Sequence, residues 1–543
     1  MTLSASSSKG VVASWPRQNG LAVVVRGAGH RPCVLMAGQT STLKNELQLI
    51  TYVDRLAGTL KQLKSLMNSS LAGLFGGVHL LPFFTPIDGA DAGFDPVDHS
   101  EVDPRLGDWD DVRALGGHFE VVADLIVNHT SSDSPQFKDF SDRGTDSPFA
   151  GMFLTYGRVF PSGACEEDLL RIYRPRPGLP FSNVTLKCGE KRLLWTTFSP
   201  HQLDIDVTHP AGAAYLKRIL GRFRDAGVRL IRLDAVGYAI KKAGTSCFMI
   251  PETFSFITEL TSQAHALGME VLVEIHSHYL QQVQIARQVD WVYDFALPPL
   301  VLHSLFTRDA KPLAHWLAVR PQNCITVLDT HDGIGVIDVG TGSNGEPGLL
   351  TPQEIDGLVE AIHSRSNGES RKATGAAANN LDLYQVNCTF YDALGQRENE
   401  YLIARAVQFF VPGIPQIYYV GLLAGTNDME LLAGTAVGRD INRHYYTPSE
   451  VEASLGNPVV QHLMELMRLR NSHPSFAGHV SIETPSGRQL VIIWKNNGQW
   501  AKLDVDFASL EAVVTYSRQN GQQEPRIGRW ESHTGAGCSE ATR

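Results

Sequence analysis

The chain has 543 residues, more than one ordinary domain holds, and 43% of them are hydrophobic, enough for large cores. A formal net charge of −10 and a pI near 6.0 argue against nucleic acid or an anionic membrane as the main partner. No apolar run approaches the ~18 residues that a membrane-spanning helix needs, and seven scattered cysteines without a C-x-x-C pair point to reduced thiols, no metal cluster and a cytoplasmic setting.

Residues 1–46 form a leader of distinct composition. It carries Lys9, Arg17, Arg26, Arg31 and Lys44 and a serine-rich "SASSS", and its first acid is Glu46. Such a segment resembles an organelle transit peptide; the alternative is an unstructured extension, or a true start at Met36. Beyond it, eight apolar, β-rich runs recur. They are "LQLITYV" (47–53), "GVHLLPFF" (77–84), "VVADLIVNH" (121–129), "VRLIRLDAV" (228–236), "MEVLVEIH" (269–276), "DWVYDFAL" (290–297), "NCITVLDTHD" (323–332) and "IPQIYYV" (414–420). Helical segments separate them. "PAGAAYLKRILGRFRDAG" and "PETFSFITELTSQAHALG" each open on proline and close on glycine, and "DWDDVRALGG" carries early acids and a terminal glycine pair. Continuous apolar strands alternating with helices predict a parallel sheet covered on both faces, and eight such units predict an α/β fold, a (β/α)8 TIM barrel.

Two gaps are too long for simple loops, and both leave the C-terminal ends of their strands, where barrels build active sites. The predicted order is therefore barrel (47–129), insertion after the third strand (130–208), barrel (209–333), insertion after the seventh (334–396), barrel (397–475) and a small β domain with a loose tail (476–543). In this frame polar residues converge on one mouth. Asp234 ends the fourth strand, Glu274 the fifth, His331 and Asp332 the seventh. Asp124, Asn128 and His129 come from the third, and Asp91 from the loop after the second. Burying a charge without a partner is costly, so Arg232 and Asp234 inside one apolar run suggest a site. Two neighbouring carboxylates and a third acid suit glycosidic chemistry in which one attacks the anomeric carbon and the other protonates the leaving oxygen. Asp234 is the candidate nucleophile, held ionised by Arg232, and Glu274 the candidate acid/base. Asp332 is placed to stabilise positive charge in the transition state. Taken singly, any of these acids or histidines is as readily a structural residue. No metal-type histidine spacing, G-x-G-x-x-G or phosphate-loop motif accompanies them, so neither metal nor cofactor is implied.

"DLIVNH", "IRLDAV", "VLVEIH" and "LDTHD" resemble the four short motifs of the α-amylase clan of glycoside hydrolases. Longer stretches resemble the sucrose phosphorylase family: "LPFFTPIDGADAGFDPVDH", "IYRPRPGLPF", "RLDAVGYAIKKAGTSCFM", "ITVLDTHDGIGVID", "ATGAAANNLDLYQVN" and "GRDINRHYY". The likeness spans roughly 47–476. It implies the catalytic trio Asp234, Glu274 and Asp332 and the conversion of sucrose and phosphate to α-glucose 1-phosphate and fructose. It further implies that Asp91 and Arg439 grip glucose hydroxyls, that Phe94 is an apolar platform, and that His129, Arg232 and His331 line the glucose site. Gln202, His276, Asp382, Tyr384 and Gln385 would face the acceptor, and Arg176 would receive phosphate. Some members are homodimers, which does not decide the matter for this chain. Sister phosphorylases acting on sucrose 6′-phosphate or glucosylglycerate, a hydrolase and an inactive binding protein are the alternatives. Asp382 would repel an anionic acceptor sugar, and the intact trio argues against an inactive protein. The chain departs from the family pattern at "TSSDSPQF" (130–137), which lacks an expected aromatic, in the leader, and over the last ~60 residues, which match weakly.

Overall fold

A computed structural model describes residues 22–26, 34–36, 42–89, 91–175, 178–342, 345–374, 385–517 and 523–530. Eight strands close into one barrel: β1 (Gln48–Thr51), β2 (Gly77–Leu80), β3 (Glu120–Ile126), β4 (Val228–Asp234), β5 (Glu270–Val273), β6 (Trp291–Asp294), β7 (Cys324–Thr326) and β8 (Ile414–Tyr418). Every neighbouring pair is parallel, including the closing pair of β8 with β1. Seven strands fall within one of the eight apolar runs, and β3 begins one residue ahead of its own, at Glu120. Such runs make barrel strands because helices cover the outer face and packed side chains fill the inner one, so both faces stay dry. Every residue of β3, β6 and β8 is buried.

The covering helices start and stop where their sequences dictate. Helix α1 (Trp109–Gly116) is capped by Asp108, whose side chain accepts from the amides of Asp110 and Asp111 in a capping box. Helices α2 (Pro210–Asp225) and α3 (Pro251–Ala266) begin at proline. Each is followed by a glycine in the left-handed region, Gly227 (φ +77°) and Gly268 (φ +78°).

A chain of polar side chains runs through the barrel interior. Gln416 donates to Gln48 (2.7 Å), and Tyr293 donates to Gln416 (3.2 Å) and lies 3.4 Å from His79. His79 meets Asp124 (3.1 Å), and Arg232 donates to Asp124 (2.5 Å) and to Asp234 (3.0 Å). No charge in this chain is buried alone, which is the condition for burying it at all.

The segment after β3 holds the pair His129–Ser131 and Gln202–Asp204, the hairpin of Phe181–Thr185 with Lys191–Trp195, and a small apolar core around Leu154, Phe160 and Trp195. The segment after β7 pairs Ile334–Gly335 with Gln385–Val386. Behind the barrel, β9 (His479–Glu483), β10 (Gln489–Asn496), β11 (Gln499–Asp506), β12 (Glu511–Ser517) and β13 (Gln523–Trp530) form an antiparallel meander. It docks on the barrel through Trp494, which donates to the Phe410 carbonyl (2.7 Å).

Two pieces of the leader also belong to this sheet. Ala22–Arg26 pairs parallel with β9, and Val34–Met36 pairs with Ala22–Arg26. A valine run suits an open sheet edge, so an extension read from its charge pattern contributes strands. Within the segment expected to be a loose tail, β13 is paired with β12. The rest of the leader and the last residues lie outside the described residues. Among the described residues no helix is long and apolar enough to cross a membrane, and Cys165, Cys188, Cys247, Cys324 and Cys388 are free thiols. Cys33 and Cys538 lie outside them.

Candidate active site

The C-terminal rim of the barrel gathers the predicted acids. Parallel pairing sets Arg232 of β4 beside Asp124 of β3 and Leu272 of β5. From there its guanidinium reaches three carboxylates: Asp124 at 2.5 Å, Asp234 at 3.0 Å and Glu274 at 3.9 Å. Asp234 ends β4, and the next residue, Ala235, sits in the left-handed region (φ 53°), a conformation that costs a non-glycine residue about 1–2 kcal/mol. The chain turns there, at the point where the Asp234 side chain leaves the strand. Glu274 follows the last residue of β5, and its amide still donates to Leu233 of β4 (3.4 Å).

Asp332 arrives from the far side of the same rim, after β7. Arg439 contacts it at 2.9 Å and lies 3.9 Å from Asp91. His331 lies 3.6 Å from Asp332. The loop is held from behind: Arg443 donates to the His331 carbonyl (3.0 Å) and Asn442 to that of Thr330 (2.9 Å). One carboxylate oxygen each from Glu274 and Asp332 and one ring nitrogen of His276 lie within 4.8 Å of one another, so the two sides of the rim meet over one small space.

Environment separates the acids. Burial pushes Asp234 well above the ordinary carboxylate range; Arg232 opposes this, and the charges of Glu274, Asp124 and Asp332 add to it. Burial acts on Asp332 in the same sense, but Arg439, His331, Arg443 and His276 outweigh it and hold Asp332 well below that range. Asp124, buried too, is brought down to about 2 by His79 and Arg232. The expectation that Arg232 alone keeps Asp234 ionised is therefore incomplete. Arg232 is closer to Asp234 than to Glu274, which favours the charge on Asp234. Burial keeps His331 (down to about 3) and His129 neutral.

Phe94 lies at the same mouth. Its ring stacks on His331 (4.7 Å, 12°), the Arg232 guanidinium lies 5.6 Å from its centroid, and its carbonyl receives His129 Nε2 at 2.9 Å. Gln202 lies 3.3 Å from the same His129 nitrogen, brought there by pairing of the two short strands. Gln385 accepts from the Gly333 amide (3.2 Å). Arg176, Asp382 and Tyr384 lie outside the described residues, so the structure brings together Asp234, Glu274, Asp332, Asp91, Phe94, His129, Gln202, Arg232, His276, His331, Gln385 and Arg439.

Sequence reasoning gave no role to several residues that hold this site. Tyr52 packs edge-on against His331 (6.2 Å). Lys241, buried, bonds Asn128 (2.6 Å) and pairs with Asp204, which ties the first insertion to the ends of β3 and β4. Arg405 and Asp329 form a buried pair (2.6 Å). The available signal was a charge in an otherwise apolar stretch, as at "DAVGYAIKK". Their partners come from distant parts of the chain and carry no local signature.

Comparison with known proteins agrees with this geometry. Residues 62–277 match the α-amylase catalytic-domain family. A sucrose phosphorylase of Agrobacterium vitis is 62% identical over 476 residues, covering 88% of this chain and 98% of its own. One from Bifidobacterium adolescentis is 52% identical over 464 residues, covering 85% and 92%. The crystal structure of sucrose 6F-phosphate phosphorylase from Thermoanaerobacter thermosaccharolyticum superposes with a TM-score of 0.83 at 37% identity, covering 89% of this chain and 98% of that one. With a closed eight-strand barrel, three acids at its C-terminal rim and relatives alike over nearly their whole length, the chain belongs to the sucrose phosphorylase family of the α-amylase clan.

Proposed function

We propose that this chain catalyses the reversible phosphorolysis of sucrose to α-D-glucose 1-phosphate and D-fructose by a retaining double displacement. The observation that carries the reading is the unequal sharing of one buried guanidinium: Arg232 lies 3.0 Å from Asp234 and 3.9 Å from Glu274. That difference suits an ionised nucleophile beside a proton-carrying acid. In the first step an Asp234 oxygen bonds to the anomeric carbon, the bond to the fructosyl oxygen breaks, and the proton of Glu274 passes to that oxygen. In the second, a phosphate oxygen attacks the same carbon, the ester to Asp234 breaks, and Glu274 takes the proton. Two inversions give net retention. Asp332, kept anionic by Arg439, opposes the positive charge that develops on the sugar ring.

The remaining roles follow from this reading. Asp91 and Arg439 hold the glucose hydroxyls, Phe94 supplies the apolar face, and His129, Arg232 and His331 complete that pocket. Gln202, His276, Asp382, Tyr384 and Gln385 serve the acceptor, and Arg176 receives phosphate, for which a guanidinium fork is suited. Sucrose rather than its 6′-phosphate is favoured by the 62% identity to a sucrose phosphorylase against 37% to the 6F-phosphate enzyme. A cytoplasmic location and a homodimer complete the proposal, the latter checked by light scattering.

The test is direct. The purified protein is incubated with sucrose, with and without phosphate, and glucose 1-phosphate and glucose are measured. Phosphate-dependent glucose 1-phosphate is expected. Free glucose alone would make the protein a hydrolase, and unconsumed sucrose would move the assignment to the phosphorylated or glycerate-linked glucosides.

A further inference from the structure

The segment "GRDINRHYY" brings Arg439 to the glucose side of the site, and its His444 has no part in the reaction as written. After β8 the chain runs from Asp428 through a short helix (Met429–Thr435) and the turn Gly438–Asn442 to His444. Apolar packing holds the helix weakly, because each of its residues is half-buried or exposed. The turn is held better. Ile441 is fully buried, and a Cβ at Gly438 would come within 2.2 Å of the Ala373 carbonyl oxygen, so backbone passes there against backbone. Arg439 follows Gly438 and contacts Asp332 at 2.9 Å. The two ends of the loop meet at Asp428. Its amide donates to the Ile441 carbonyl (2.8 Å), its Oδ1 accepts from the Leu431 amide (2.8 Å) and caps the helix, and its Oδ2 lies 2.6 Å from His444 Nδ1. A carboxylate only accepts, so Nδ1 of His444 carries the proton. His444 is itself anchored. Tyr419 donates to its carbonyl (2.7 Å), Tyr446 packs edge-on against its ring (4.6 Å, 81°), and its Nε2 lies 3.6 Å from Glu450 Oε1.

We propose that His444 is a positioning residue for the glucose pocket: by bonding Asp428 it closes the loop whose turn presents Arg439 to Asp332. The inference rests on the reading above, in which Arg439 and Asp332 serve the glucosyl unit. The bonded pair stands 16 positions apart, and holding the two ends together removes conformations that an open loop of that length would sample. Without this clasp the loop is ordered only part of the time, and a glucosyl donor must select the ordered fraction. The donor's apparent affinity falls by that fraction, while bound donor restores the order and leaves the chemical step unchanged. Sucrose and glucose 1-phosphate share the glucosyl unit, so both carry the same loss. Phosphate and fructose meet the glucosyl-enzyme, whose sugar already holds Arg439 in place, so they carry none.

The test compares His444→Ala with His444→Asn in the full chain, the asparagine amide placing a donor where Nδ1 stood. In His444→Ala the KM for sucrose and the KM for glucose 1-phosphate are expected to rise together by about tenfold, with kcat and the KM for phosphate within about twofold of wild type. His444→Asn should restore both donor values, and values as high as those of His444→Ala would refute the role. A variant that merely folded less well would lose kcat and keep its KM values. That outcome overturns the proposal, as does a rise in the KM for phosphate equal to that for sucrose. In an Arg439→Ala background His444→Ala should raise the donor KM no further, and an additive rise also overturns it. Should His444→Ala fail to fold, Asp428→Ser decides: serine keeps the helix cap and takes the carboxylate from His444, and an unchanged sucrose KM refutes the role. Absence of glucose 1-phosphate from the wild-type enzyme refutes the phosphorolytic reading instead. The clasp is then read by hydrogen exchange. Amides 429–443 should exchange about tenfold faster in His444→Ala and return to wild-type rates in His444→Asn, and unchanged exchange overturns the clasp.

Discussion

Strand β4 of the barrel buries Arg232 and Asp234 among leucine, isoleucine and valine, whereas β11 of the terminal sheet buries Ala501, Leu503 and Val505 and turns Lys502, Asp504 and Asp506 toward its half-exposed face. The β11 ladder is regular throughout, and β4 pairs regularly with β3 from Leu230 onward. In β11 the side-chain period of two sorts residues by polarity, so a charged residue there needs only water. In β4 both faces are dry, so each charge needs a protein partner, and the partners arrive from β3 and β5. A polar residue therefore reports function in the first setting and solvation in the second.

The largest effect should come from breaking the buried cluster at its reacting member. Asp234→Asn is expected to lower kcat by about 10⁴-fold or more while thermal unfolding changes little. Activity near wild type would remove Asp234 from the reaction. Next is the partner rather than the reactant. Asp124→Ala leaves His79 and Arg232 without a carboxylate between them, and a loss of about 3–5 kcal/mol in urea unfolding is expected. In the terminal sheet the strongest single change is apolar. Leu503→Ala should cost about 2–4 kcal/mol and leave kcat/KM of the folded enzyme as it was. A matching fall in activity would show that the sheet shapes the site.

Acid pH sharpens the same contrast. Asp124 is lowered from its ordinary 3.8 to about 2, so it stabilises the fold fully above its unfolded value and ceases to as pH falls from about 4 to about 2. That contribution is about 2 kcal/mol, and Asp124→Asn should flatten this part of the stability–pH curve. The smallest effect belongs to the surface. Lys502→Ala removes a 2.8 Å ion pair with Asp504 in which both partners are a third or more exposed, and stability should move by no more than about 0.5 kcal/mol.

Much of the site was legible because the strands that build it are legible. Once "LIRLDAV", "VLVEIH" and "VLDTHD" are the fourth, fifth and seventh strands of a barrel, Asp234, Glu274 and Asp332 must share a rim. What stayed hidden depended on contacts between distant segments. Asp338 meets His276 across 62 positions and Arg443 meets His331 across 112. Neither pair leaves a periodic trace. The raised proton affinity of Asp234 was hidden for a related reason. The sequence displays Arg232 two residues away, but not the burial and neighbouring carboxylates that oppose it.

The sequence by itself determined the barrel, the positions of its helices and the rim on which the acids stand, because apolar runs, prolines and glycines act over a few residues. It also carried the family, because the motifs are contiguous. Only the tertiary structure decided which charge each acid bears, which residues hold His276 and His331, and that part of the leader joins the terminal sheet. Those outcomes depend on burial and on the distance between charges, quantities that exist only after the chain has closed on itself.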